Sequence, residues 1–242
     1  MNGIFSAVTV FTVSAGGGFI QRVTGFGFGI FVMMFFPYLV SEHTGAAAIS
    51  TLVSCLISSY NAYVYRKDIP YKKIIPMIIG ALVFIPLAVR FSVLVSADIF
   101  KKMLGIVLII LSIYFLFFNT KIKIRPTGIN GFAAGGLGGI LTGLFSTGGP
   151  PIVLYLMNAM TDNVVYFAST QFYFGITGIY SSVVRFLNGI ITKEVLIFTI
   201  IGFVGCIAGN FVGKKVFYML DAQRLKQIVY IGMIIFGVIM IF

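Results

Sequence analysis

The chain has 242 residues, 59% of them hydrophobic and only 10% charged, with a mean hydropathy of +1.07. No soluble domain of this size can hide so much apolar surface, so composition excludes a soluble fold and points to a polytopic, all-α membrane protein. The formal net charge of +11 does not mark a nucleic-acid binder, because the basic residues are scattered at the ends of apolar runs, as in cytoplasmic loops.

In chain order, the first apolar region, 3–40, is too long for one crossing and is interrupted by "QRVTGFGFGI" (21–30), which sets Arg22 and three glycines in an oily segment. Spans are predicted at 43–65, 74–95 and 99–118, then a basic linker at 119–127. A second over-long region, 128–161, breaks at "FSTGGPPI" (145–152), and further spans are predicted at 164–185, 194–213 and 225–242. About 20 residues cross a hydrocarbon core, and each side of a break has only about 14–20. Each broken region is therefore read as a hairpin of two short helices, re-entrant or just spanning. The N-terminus lacks a basic stretch and a small-residue cleavage site, so no cleaved signal peptide is expected. Cys55 and Cys206 fall inside spans and read as small apolar fillers. With no Trp, Tyr must supply most of any aromatic belt.

Loop charge sets the expected orientation. Arg66, Lys67, Lys72, Lys73, Lys121, Lys123, Arg125, Lys214, Lys215, Arg224 and Lys226 fall on one side, against Arg90, Lys101, Lys102, Arg185 and Lys193 on the other. The richer group is cytoplasmic by the positive-inside rule, which puts both termini outside if each hairpin begins and ends on one face.

Internal similarity agrees. "AAAISTLVS" (46–54) aligns loosely with "YFASTQFYF" (166–174), and "DIFKKMLGIVLII" from Asp98 with "DAQRLKQIVYIGM" from Asp221. The halves 1–118 and 128–242 each read as a hairpin plus three transmembrane helices. Three full crossings per half turn the second copy upside down, the inverted-repeat plan of secondary transporters.

In that plan the helix N-termini at broken segments present unsatisfied N–H groups and the positive end of the helix dipole, which suits an anion. The candidate substrate-binding residues are Arg22, Thr24, Gly25, Gly27 and Gly29 at the first break, where the helix is expected to restart after Gly29. At the second break they are Ser146, Thr147, Gly148, Gly149 and Pro150. Ser50 and Thr51, with Ser169, Thr170 and Gln171, lie on the next helices at matching depth. An arginine within a span faces a cavity more often than lipid; the competing reading of Arg22 is a structural tie to backbone carbonyls. Close helix packing competes for the glycines, above all for Gly135, Gly139 and Gly143, which repeat every four residues. His43 reads as an interfacial residue, and no Asp or Glu lies clearly mid-span, so no catalytic residue, metal site or cofactor is expected.

The two glycine-rich breaks, "GFGFGIFVMMFFP" (25–37) and "GLFSTGGPPIVLYL" (143–156), each lead into a short helix about 120 residues apart. This arrangement resembles the TauE/SafE family of membrane transporters along nearly the whole chain, the second copy more closely than the first. The resemblance implies transport of a sulfur-containing anion such as sulfite, a sulfonate or a related organosulfur acid across the cell membrane. A coupling ion, H+ or Na+, is a further partner that a secondary transporter can use. The alternatives from other classes are an anion channel and a membrane assembly subunit.

Overall fold

The computed structural model describes residues 3–118, 124–216 and 222–242, and among these residues every regular element is helical. The helices are α1 Gly3–Thr24, α2 Phe28–Val32, α3 His43–Val64, α4 Tyr71–Leu94, α5 Ala97–Ile113, α6 Gly128–Phe145, α7 Gly149–Ala159, α8 Asn163–Leu187, α9 Lys193–Val216 and α10 Ala222–Ile241. Several begin where a side chain caps free N–H groups. Ser96 Oγ accepts from Ile99 N ahead of α5, Thr127 Oγ1 from Asn130 N ahead of α6, and Asp162 Oδ1 from Val164 N and Val165 N (2.8 and 2.9 Å) ahead of α8.

Among the described residues, five helices are both long and apolar enough to cross a membrane: His43–Val64, Tyr71–Leu94, Ala97–Phe117, Gly128–Phe145 and Lys193–Lys215. α4 shows what solvent they are built for. Its inner face buries Ile74, Met77, Ala81, Ile85 and Ala88, yet its outer face is also apolar, with Ile75, Ile79, Val83 and Leu87 exposed at four-residue spacing. A helix apolar on both faces meets protein on one side and lipid on the other.

The two broken regions are built differently, which corrects the expectation of two similar hairpins. α1 runs unbroken through Gly16, Gly17 and Gly18 for 22 residues, and the chain then turns through Gly25 and Gly27, both left-handed (φ 82° and 100°). Beyond this turn come a single short helix, α2, five residues long, and a 3-10 turn at Phe36–Tyr38. Pro37 carries no N–H and cannot continue the helical ladder, and the segment is held by burial of Phe28, Met33 and Phe36 instead of by helix length. The second region is closer to expectation, with α6 of 18 residues and α7 of 11. At 1.5 Å per residue α7 rises roughly 16 Å, about half a hydrocarbon core.

The chain forms two compact units. The first comprises Met1–Ser50, Val95–Ile122 and Ile191–Phe242; the second comprises Thr51–Leu94 and Lys123–Ile190, so α3 begins in one and ends in the other. Within the first unit α1 lies along α9 and α5 along α10. Within the second α4 lies along α6, and α7 and α8 pack beside them.

Glycine ladders make these approaches possible. A Cβ on Gly135 or Gly139 would meet the Met77 or Ala81 backbone, and one on Gly143 would stand 2.6 Å from Ala88 Cβ and 2.8 Å from Ile85 O. The four-residue series is thus a packing face against α4. A matching series on α9 meets α1: Gly205 faces Phe11 O and Gly209 faces Ala15 O, while a Cβ on Gly213 would lie 3.0 Å from Arg22 Cβ. Lipid tails are as apolar as the helices, so close backbone packing has to hold such pairs together. Cys55 and Cys206 are free, buried thiols, facing Gly178 and Gly18 respectively.

Candidate functional site

The second break is closed with tight local geometry. Ser146 ends α6 in the left-handed region (φ 58°), its N–H bonding Thr142 O at 3.0 Å, while Thr147 N–H bonds Leu141 O at 3.2 Å. The first of these bonds is the five-to-one closure of the αL cap that terminates helices, normally with glycine at the left-handed position. Ser146 is the one non-glycine residue with positive φ among the described residues, and strain of this kind tends to be kept where a side chain has another task. Ser146→Gly is therefore expected to raise thermal stability, by about 1 kcal/mol, while lowering anion affinity. A variant that is stabilised and binds as well as the parent would assign Ser146 no ligand role.

α7 starts at once, with Pro150 and Pro151 in its first turn. Proline suits this position but carries no N–H. Of the first four helical residues only Gly149 and Ile152 can donate from the backbone. The helix end keeps its dipole and loses half its hydrogen bonds, so an anion here needs donors from elsewhere. Thr147 is a candidate: it is 1% exposed and its Oγ1 has no partner among the described residues. Gly148 is packed tightly against α6 on its Cβ side. A Cβ there would collide with Thr142 Oγ1 and Gly138 O, so packing of the break on α6 requires this glycine.

A second candidate donor is Arg185, counted above among the loop charges. It lies inside α8, is completely buried, and donates from Nη2 to Gly143 O (2.8 Å) and Thr142 O (3.1 Å). Thr142 O also receives the Ser146 N–H, so guanidinium and break share an acceptor. A cation at the carbonyl end of a helix is favourable, yet Nε and Nη1 of Arg185 have no partner among the described residues. Removing an ion from water costs several kcal/mol unless it is paired and hydrogen-bonded. None of the described carboxylates is buried: Glu42, Asp68, Asp98 and Asp162 are exposed, and Glu194 is half-buried, accepting from Ser41 Oγ at 3.1 Å. The unused face of the fork matches what a bidentate oxyanion requires.

Arg185 continues a buried polar row. Ser169, Tyr173, Thr177, Ser181 and Arg185 recur every four residues along α8, none more than 1% exposed. Helical side chains lean toward the N-terminus, which tilts Arg185 toward Ser181, whose Oγ has no partner among the described residues. Tyr173 OH donates to Gly135 O at 3.4 Å and, with Ile152 of α7, stands against Gly138. Ser169 lies more than four turns, about 24 Å, along α8 from Arg185, so the predicted trio is not gathered around the guanidinium. Ser169 Oγ has no partner among the described residues, whereas Thr170 Oγ1 donates to Tyr166 O (2.8 Å) and Gln171 Oε1 accepts from Asn61 Nδ2 (3.3 Å).

The first break carries less of an anion site than expected. α2 begins at Phe28, so Gly29 lies inside it and not before it, and a single turn has little dipole to offer. Arg22 is half-buried in the last turn of α1, its stem against Gly213. The side chain of Thr24 lies outside the described residues, as do Lys121 and Lys123 of the linker and the side chains of Arg224 and Lys226. Ser50 is fully buried with Oγ unpartnered among the described residues, and Thr51 beside it is buried. His43 is half-buried at the start of α3, its ring 4.7 Å from that of Phe100.

The sequence family described as "Sulfite exporter TauE/SafE" matches residues 10–240. The chain belongs to the TauE/SafE family. It is therefore an integral membrane transporter and not an enzyme, and its substrate class is a small anion. No curated protein and no solved structure matches it. Arg185 is not among the predicted contacts because the predicted span ended on it, which counted it with the loop charges. Its removal leaves four basic residues opposite the group of 11, which sharpens the charge bias. A signal was present: a polar residue every four positions through an otherwise apolar helix.

Proposed function

We propose that this TauE/SafE protein is a secondary transporter that carries a small sulfur oxyanion, sulfite or a sulfonate, by alternating access. Arg185, Thr147 and the start of α7 are its anion contacts in the second unit. The observation that carries the reading is a fully buried guanidinium with Nε and Nη1 unpartnered among the described residues and no buried carboxylate among them to neutralise it. A divalent or bidentate oxyanion supplies both the charge and the acceptors.

An inverted repeat underlies the proposed alternation. In support, α1 on α9 and α6 on α4 are exchange-related pairings if the halves correspond, and both use a four-residue ladder. In α3 and α8, Cys55 stands against Gly178 and Ser59 against Gly175. Shifted by the 120-residue repeat, the first pair becomes Gly175 with Ser58, within one residue of the second, as a two-fold relation requires. We further propose domains 1–118 and 128–242 as the repeats, both termini outside, and H+ or Na+ as the coupling ion.

Two measurements test this. In proteoliposomes, sulfite uptake should saturate and be accelerated by sulfite on the opposite face. Linear flux with no counterflow would indicate a channel instead. For orientation, Arg125→Cys should resist an impermeant maleimide in intact cells and react after permeabilisation, over low background because Cys55 and Cys206 are buried. Labelling in intact cells would overturn the proposed topology.

A further inference from the structure

The second unit carries a groove of about 260 Å³ that the transport reading does not use. Ser59, Ala62 and Tyr63 of α3 line one wall with Arg66 just beyond the end of that helix, and α8 lines the other with residues i, i+3, i+4 and i+7 counted from Phe172. The helices run antiparallel here, since Cys55 faces Gly178, Ser59 faces Gly175, Asn61 bonds Gln171 and the Tyr65 ring meets that of Phe167. Arg66 and Tyr71 therefore stand at one end of the groove and Ile179 at the other, roughly 10 Å away at 1.5 Å per residue.

The two ends differ in chemistry. The Ile179 end is apolar and that residue is half exposed on a face of exposed apolar side chains. At the other end Tyr60, Tyr63 and Tyr71 are exposed, a tyrosine band of the kind that marks a membrane–water boundary. Arg66 is fixed there: its guanidinium lies over the Tyr63 ring, 4.5 Å from the centroid, and Nη1 donates to Tyr63 O at 2.8 Å. Tyr71 OH donates to Arg66 O at 3.1 Å, and the Tyr71 ring meets that of Phe172 edge-on at 5.2 Å. Lys67, Lys72 and Lys73 are exposed in the same short stretch, with Asp68 the sole acidic residue among them.

We propose that this groove is a binding site for an anionic phospholipid, one acyl chain lying between α3 and α8 and the headgroup phosphate bound at Arg66. An apolar slot that runs inward from a fixed guanidinium at the interface is complementary to such a lipid at both ends, and a basic cluster beside membrane helices favours anionic headgroups. Free phosphate would meet Arg66 but leave the slot unfilled, and a zwitterionic lipid would fill the slot without answering the charge.

The test is native mass spectrometry of the purified full-length protein titrated with phosphatidylglycerol or phosphatidylcholine of the same acyl chains. The parent should prefer phosphatidylglycerol. Arg66→Gln should reduce that preference about fivefold, while Lys67→Gln, which removes the same charge from the neighbouring exposed residue, should change it much less. Ile179→Trp, placed at the half-exposed apolar end, should lower occupancy by both lipids. All three sites are exposed, so each variant should melt like the parent in lipid-free detergent. Equal losses in Arg66→Gln and Lys67→Gln would mean diffuse surface attraction and overturn the site. So would unchanged occupancy in Ile179→Trp.

Discussion

Arg185→Gln is expected to weaken anion binding by about thirtyfold or more and to abolish the stabilisation that sulfite is expected to confer on the purified protein. Removing one partner of a buried charge pair costs on the order of 2–5 kcal/mol, and about 1.4 kcal/mol is tenfold. Glutamine keeps an N–H donor but ends short of the Nη2 position that reaches Thr142 O and Gly143 O, so some loss of stability at the end of α6 is expected beside the loss of affinity. Arg185→Lys should fall between the two, since lysine keeps the charge but not the fork. The readout is the shift in melting temperature with added sulfite. The parent should be stabilised according to ligand concentration over Kd, and Arg185→Gln should not respond. Arg22→Gln is the comparison, at a half-buried arginine whose stem rests on Gly213, and a smaller loss is expected there. If Arg185→Gln melts lower but binds sulfite as tightly as the parent, Arg185 is a helix cap, and the anion site lies elsewhere.

Gly148→Ala is expected to be among the most damaging small substitutions in the protein, through stability and not through loss of a ligand contact. The added Cβ would overlap Thr142 Oγ1 and the Gly138 carbonyl, and the second is backbone that cannot rotate away. Overpacking of this kind costs about 1–3 kcal/mol and occasionally more. Thr142→Ala in the same chain removes one of the two collisions, so the double variant should be less destabilised than the sum of the singles, a coupling that contacting residues show and distant ones do not. Thermal melts of the four proteins in detergent check this. A Gly148→Ala protein that melts normally and only loses anion affinity would restore the role in which the glycine makes room for substrate.

These two residues mark where the sequence was legible and where it was not. Spans were readable because lipid demands about 20 apolar residues per crossing and loops need polar or basic ones. The predicted 43–65 and 194–213 correspond to His43–Val64 and Lys193–Val216. Breaks were readable because glycine and proline limit what the backbone can do: Gly25, Gly27 and Pro37 interrupt one segment, and the turn at Ser146 with Pro150 and Pro151 after it interrupts the other. The family resemblance rested on those breaks, and the match over residues 10–240 bears it out. Side-chain roles were not readable in the same way. Arg22 and Arg185 are both arginines beside an apolar run, but one is half-buried with its stem on Gly213 and the other is sealed beneath the carbonyls of α6, and both partners are distant in sequence. Likewise Gly139 and Gly148 could each serve packing or ligand approach until the atoms facing them are known; both face backbone, Ala81 for one and Gly138 for the other. Local sequence sets where the chain can turn and what can enter lipid. Burial of a charge, and the size of the space over a glycine, depend on which distant segment packs there, and only the tertiary structure decided that.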